Sequence, residues 1–437
     1  MARRTPMRYR LAMSLALDAA RRMARALPKA LGGGLLGIVW LPYFTWVLTP
    51  ADLGLVGLTL CAARLIEALG SFKVEHIYAQ RAAGIGPAER LALRNGAITF
   101  TGINFAAVLV AAAVLAVVAP AYAWVFVLAP ILAAARFPAA LFAVDFAKVG
   151  TARVARMLAS GRTILGIGVM IVLISGFGLS WEGRAIALIA AEGAIAVLCW
   201  CVLTDTARRF RPWIGRGMLP LFVLAGAPVV GRWVGLWALE NADRFIALEA
   251  FTLAVVGYYV AAARIASLVL AVNRALAGSL QTLFHELAAD PARRGALIRL
   301  YTAFSALGLA LAAGAAALFH ANAGVILGPR FHGAGPVIAL VILAAGCYGA
   351  FQAGWLVRGF YPLTAWSGLK TYIALALQVA VTIALLPFLG VLAPAAGDVV
   401  GRTAASGIMS WAAFSCVGRL PLAARGRAGV EPRDDDL

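Results

Sequence analysis

The chain has 437 residues, 63% of them hydrophobic and 13% charged, with a mean hydropathy of +0.89. A water-soluble protein of this composition would be coated in apolar surface, so the chain is read as one folded within a bilayer. Its net charge of +19 lies in short loops that do not interleave aromatics, which speaks for anionic headgroups as partners and against nucleic acid.

In chain order, residues 1–29 form a basic segment, and 8–29 read as an amphipathic helix lying on the inner membrane surface. The apolar run after it is too long for a signal-peptide core, and Val47-Leu48-Thr49-Pro50 offers no cleavage site. Twelve apolar stretches follow, at about 30–48, 52–72, 96–118, 121–143, 163–181, 185–204, 217–239, 251–272, 301–320, 336–357, 371–391 and 394–416. Each holds roughly the 20 residues that cross ~30 Å of hydrocarbon as a helix. Backbone in hydrocarbon must satisfy its own hydrogen bonds, so these are expected to be helices. Residues 419–437 form a polar tail ending in Asp434, Asp435 and Asp436.

The basic residues alternate from loop to loop. Of 38 Lys and Arg, thirty fall in the N-terminus, the even-numbered gaps between spans and the tail. The opposite loops hold only Arg184, Arg244 and Arg330. Positive charge marks the cytoplasmic side, so both termini are expected inside.

Catalytic signatures are missing. Cys61, Cys199, Cys201, Cys347 and Cys416 lie in apolar spans and read as small buried residues. His76, His285, His320 and His332 are scattered, so no metal site or disulfide is implied. There is no phosphate-cradling GxxxxGK[ST] sequence, and the outer loops are too short to carry a glycosyltransferase domain. Transport without a cofactor is expected, not enzymatic turnover.

The chain also repeats itself. Leu53, Val56, Gly57, Ala62, Ala63 and Arg64 return 200 residues later as Leu253, Val256, Gly257, Ala262, Ala263 and Arg264. Pro87-Ala88-Glu89-Arg90 is echoed by Pro291-Ala292-Arg293-Arg294. Two six-helix lobes, 30–205 and 217–418, joined by a cytoplasmic linker at 206–216, are therefore expected as parallel repeats.

Ionisable residues within spans cost about +2.5 to +3.5 kcal/mol each at mid-helix unless they are paired or line a polar cavity. Those predicted here are Arg64 and Glu67 (span 2), Arg136 (span 4), Glu192 (span 6), Arg232 (span 7), Arg264 (span 8), and Asp398 with Arg402 (span 12). Glu67 lies three residues after Arg64 and Arg402 four after Asp398, so each pair shares a helix face. They can be structural ion pairs with Args that reach to the interface. Alternatively, five Arg against three carboxylates give a cationic cavity, and a guanidinium fork suits phosphate oxygens. Pro42, Pro130, Pro138, Gly32 to Gly34, Gly346, Gly349 and Gly354 permit bending or close packing.

Two regions carry a family likeness. Thr49-Pro50-Ala51-Asp52-Leu53-Gly54-Leu55 with Arg64-Leu65-Ile66-Glu67-Ala68-Leu69-Gly70 resembles the start of oligosaccharide flippases of the polysaccharide-export type. These belong to the multidrug/oligosaccharidyl-lipid/polysaccharide exporter superfamily. Glu240-Asn241-Ala242-Asp243-Arg244-Phe245, Val256-Gly257-Tyr258-Tyr259 and Ala262-Ala263-Arg264-Ile265 are similar to that family's N-x-D-R…VGxYxxAxxI pattern. His285-Glu286 stand where the family often has Pro after Phe284.

The resemblance implies an all-α, two-lobed, twelve-helix fold of the MATE kind in the bacterial inner membrane. It implies a carrier of undecaprenyl-diphosphate-linked glycan, working by alternating access beside other polysaccharide-assembly proteins. On that basis Arg64, Arg264, Arg232 and Arg136 meet the diphosphate. Glu67, Glu192, Asp398 and Arg402 balance charge or carry a coupling ion, and Asn241, Asp243 and Arg244 cap or gate the outer end of helix 7. The rivals are a cation-coupled drug or metabolite exporter of the same superfamily and a membrane-embedded glycan polymerase or ligase.

Overall fold

The computed structural model describes residues 19, 21–25, 40–82, 84–148, 152–202, 210–215, 217–288, 293–351 and 364–417. Most of the N-terminal segment, the first half of span 1 with Gly32 to Gly34, part of the 206–216 linker, Gly354 and the tail lie outside them.

The described residues form helices and turns, with no strand. The helices are α1 (Leu41–Val47), α2 (Pro50–Ser71), α3 (Val74–Arg81), α4 (Pro87–Val118), α5 (Ala123–Lys148), α6 (Ala152–Ile171), α7 (Trp181–Val202), α8 (Met218–Ala250), α9 (Leu253–Ala288), α10 (Arg294–Leu327), α11 (Gly335–Phe351), α12 (Thr364–Leu389) and α13 (Ala393–Val417). Spans 2 to 12 each correspond to one of them, span 1 is represented by α1, and α3 is a short helix in a basic gap that hydropathy does not reveal. Nine stretches among the described residues are long and apolar enough to cross a membrane, α12 and α13 counting as one.

Several helices outrun the predicted spans. The 33 residues of α8, 36 of α9 and 34 of α10 correspond to about 50 Å at 1.5 Å per residue, against ~30 Å of hydrocarbon. The surplus of α9 lies at 273–288 and that of α10 at both ends, 294–300 and 321–327, with a kink at Asn322 in the latter; good helix formers such as Ala, Leu, Glu and Arg continue the helices there. Pro130 and Pro138 lie inside α5, Pro228 inside α8 and Pro387 inside α12, so each removes a backbone bond without ending its helix. α6 closes in a π-turn, Val172–Gly176, and Gly178 takes a positive φ to turn the chain into α7.

Two compact units emerge: residues 51–241, and residues 1–50 together with 242–437. In the first, α5 packs on α4 and α7, and α6 on α7. Its core holds Tyr78, Leu93, Phe100, Phe137, Leu141 and Phe222. Gly226 on α8 has no side chain because one would run into the carbonyl of Phe72.

In the second unit α11 is central, packed on α9, α10 and α13, with α12 against α13. α1 packs on α10 and on the 3-10 turn Pro329–Ala334. A side chain at Gly257 would collide with the carbonyl of Pro50, so glycine sets that close approach. The described turn of the N-terminal segment, residues 21–25, also belongs here. Ala19 and Met23 pack into the cluster of Leu276, Leu280, Phe284 and Leu297, and Arg22 donates to Thr282 at 2.9 Å.

Candidate functional site

The span carboxylates gather at three centres, two in the first unit and one in the second. In the first, α2 ends in a left-handed corner, with Phe72 at φ 49° and Lys73 at φ 51°. Such backbone is costly for residues with a Cβ and persists only where surroundings hold it. Here Lys73 is nearly buried, and its Nζ lies 3.8 Å from Glu67, 3.3 Å from Glu75 and 4.7 Å from the centre of the Trp233 ring. Glu67 thus takes Lys73 as its ion-pair partner, and Arg64 acts on it only at longer range.

A second centre in this unit is Glu192 on α7, 3% exposed. It accepts Nε of Arg136 on α5 at 3.2 Å and a guanidinium nitrogen of Arg162 on α6 at 3.3 Å. One carboxylate therefore joins three helices. Arg136 lies close enough to Glu67 for its charge to act there too, linking the two centres.

The N-x-D-R segment does not cap α8. Nothing between Leu239 and Ala250 breaks a helix, so α8 runs on to Ala250 and Asn241 to Arg244 lie within it. Both ends of the Asn241 amide are engaged inside the first unit: Nδ2 donates to Trp237 O at 2.7 Å, and Oδ1 accepts from Cys61 Sγ at 2.9 Å. Trp237 Nε1 donates in turn to Cys61 O at 2.8 Å, pinning α8 to α2.

The second unit buries a carboxylate pair. Asp398 is fully buried and accepts Arg402 Nε at 2.7 Å, as the four-residue spacing anticipated, with Gln378 Nε2 at 3.4 Å. Asp243, 1% exposed, accepts the backbone N–H of Arg244 at 2.9 Å and lies within electrostatic range of Arg402 and Asp398. Tyr259 borders them, its hydroxyl donating to Val391 O at 2.7 Å and accepting from Ala395 N–H at 3.0 Å. Side chains at Gly397 or Gly401 would displace Thr382 and Gln378, so α13 presents a bare stripe to α12. Asp398 Oδ2, Gln378 Oε1 and Thr382 Oγ1 are buried without a hydrogen-bond partner.

Arg64, Arg232 and Arg264 are all exposed. Arg64 on α2 and Arg264 on α9 share that exposure at equivalent places in the two repeats. The candidate carboxylates show the reverse pattern: Glu192, Asp243 and Asp398 are buried, Glu67 is half-buried, and each has a basic group beside it. Tyr259 entered the sequence reading only within the family pattern, whereas Lys73, Arg162, Gln378 and Thr382 escaped it. The first two of these counted as loop charges, and the uncharged two carry no signal in an apolar span.

Neither family models nor curated proteins match the chain. Solved structures do. An inward-facing multidrug resistance MATE family transporter of the MOP superfamily aligns over 94% of this chain and 99% of its own, at TM-score 0.66 and 16% identity. A MATE protein solved in complex with MaD3S aligns over 93% and 96%, at 0.53 and 16%. A MOP superfamily transporter from Pyrococcus furiosus, described as having a binding pocket of reverse polarity that suggests a different function, aligns over 94% of each chain, at 0.52 and 15%. The chain therefore has the helical fold of MATE transporters.

Proposed function

We propose that the protein is a multi-pass bacterial inner-membrane flippase, with both termini cytoplasmic, that moves an undecaprenyl-diphosphate-linked oligosaccharide by alternating access and without covalent chemistry. One observation carries this: the exposed candidate charges are guanidinia, Arg64, Arg232 and Arg264, whereas the carboxylates are withdrawn into ion pairs. A guanidinium facing lipid at mid-span is costly, so each of these positions fits contact with water. Exposed guanidinia attract an anion, and each offers a bidentate fork to a phosphate. Arg136, held by Glu192 on α7, adds a further guanidinium on α5, and Asn241, next to Asp243 and Arg244, ties α8 to α2. Glu67, Asp398 and Asp243 hold the Args apart or carry a coupling proton or cation.

The test is reconstitution in liposomes with a labelled lipid-diphosphate sugar, scored by access of an external glycosidase. Protein-dependent transfer that is lost in Arg64→Ala supports the proposal; absence of transfer by wild-type protein overturns it. A second reading, a drug or metabolite exporter, draws on the description of one structural neighbour as a multidrug resistance transporter. It predicts uptake of a labelled organic cation into inverted vesicles, for which the exposed guanidinia are unsuited.

A further inference from the structure

Away from the three charge centres, the second unit contains a polar side chain without a partner. Asn273 on α9 is 0% exposed, and neither its Nδ2 nor its Oδ1 is hydrogen-bonded. It sits in a crevice of small residues. A side chain added at Gly349 on α11 would collide with the Asn273 amide, and one at Gly308 on α10 would come 3.2 Å from Oδ1. Amides buried in apolar surroundings are nearly always bonded, so each exception calls for an explanation. A leucine has almost the same shape and would pack here at no polar cost.

Partners lie one helical turn away. Ser305, three residues before Gly308 on the same face of α10, donates to Ala350 O at 2.9 Å. One turn further along α10, the Tyr301 hydroxyl pairs with Ser410 at 2.5 Å. α10 thus presents glycine at the level of Asn273 and a ladder of hydroxyls a turn below it. Packed helices move between discrete registers, and a one-turn step covers about 5.4 Å.

We infer that Asn273 is a conformational selector. Its amide is unsatisfied in the state seen here and bonded to the Ser305–Tyr301 hydroxyls in the alternate state, so it disfavours the present state and keeps both populated. The role rests on the alternating-access reading above, though not on the identity of the substrate. The glycines at 308 and 349 belong to the device: they leave the amide room and offer it no donor.

The experiment uses the full-length protein, freed of native cysteines, with a single reporter cysteine at the exposed Ser267 on α9. It is labelled by a membrane-impermeant maleimide in right-side-out and in inverted vesicles. Wild-type protein is expected to label from both sides. Asn273→Leu should raise the thermal unfolding midpoint and lower labelling from one side about tenfold, equivalent to about 1.4 kcal/mol. Gly308→Ser, which places a hydroxyl beside Oδ1, should trap the same side without touching Asn273, while Gly308→Ala should not. It also serves if Asn273→Leu fails to accumulate. Two-sided labelling unchanged in both Asn273→Leu and Gly308→Ser overturns the selector role and leaves alternating access intact. One-sided labelling of wild-type protein overturns alternating access and the selector with it.

Discussion

Arg402→Ala removes the partner of a carboxylate that has no access to solvent. Asp398 would keep only the amide of Gln378 at 3.4 Å, and Asp243, also buried, would lose the same guanidinium from its surroundings. Breaking a buried ion pair from one side costs about 3–5 kcal/mol, because the charge left behind has neither water nor counterion. Exchanging both members for uncharged residues of similar size is often neutral. Arg402→Ala should therefore unfold in detergent well below wild type and accumulate poorly in membranes. The double variant Asp398→Asn with Arg402→Met should recover most of the loss, since Asp243 keeps Arg244 beside it. The assay is thermal unfolding in detergent followed by tryptophan fluorescence, beside membrane abundance. An Arg402→Ala midpoint within error of wild type, or a double variant no better than the single, would refute the buried pair as a structural unit.

Arg64→Ala and Arg264→Ala should each abolish glycan export with little change in membrane abundance, and Lys at either position should restore it only in part, because an ammonium lacks the fork; loss of abundance together with export would count against a ligand role. Cysteines at the exposed Ala250 and Arg330 should label from outside intact cells, and those at Arg81, Arg211 and Arg293 only after the inner face is opened; outside labelling at 293 would overturn the topology. Gly257→Val should cost about 1–3 kcal/mol by overpacking against the Pro50 carbonyl, read as a lower unfolding midpoint, whereas Gly168→Val, with open space around it, should not.

Hydropathy and the alternation of Arg-rich loops made the helical class and nearly every span legible, because both follow from desolvation of single residues and need no long-range contact. Helix-face spacing likewise gave Asp398–Arg402, a pair within one turn. It failed at Glu67, where the three-residue spacing to Arg64 suggested a partner but the left-handed corner at Phe72 and Lys73 turns a nominal loop lysine back onto the carboxylate. The Glu192 centre was out of reach for another reason: its two Args lie 56 and 30 residues away, on helices whose neighbours are chosen by packing. The end of α8 was misplaced because hydropathy falls at Glu240 while helix propensity does not.

The three charge centres also bear on the sign of the proposed cargo. An isolated carboxylate in a span is unstable in hydrocarbon and must either meet water or recruit a cation. Glu192 recruits two guanidinia, Asp398 recruits one, and Glu67 recruits the Lys73 ammonium, so the chain's own cations are spent on its own anions. A drug exporter that selects organic cations needs at least one carboxylate left for its cargo, and here each candidate is engaged. Arg64, Arg232 and Arg264 are exposed, and that placement adds positive potential wherever water reaches them. Charge reversal separates the two readings. Arg64→Glu with Arg264→Glu should extinguish glycan transfer and, if the sign of these exposed charges sets the cargo, raise cation uptake above that of wild type; undiminished glycan transfer would place the diphosphate elsewhere in the fold.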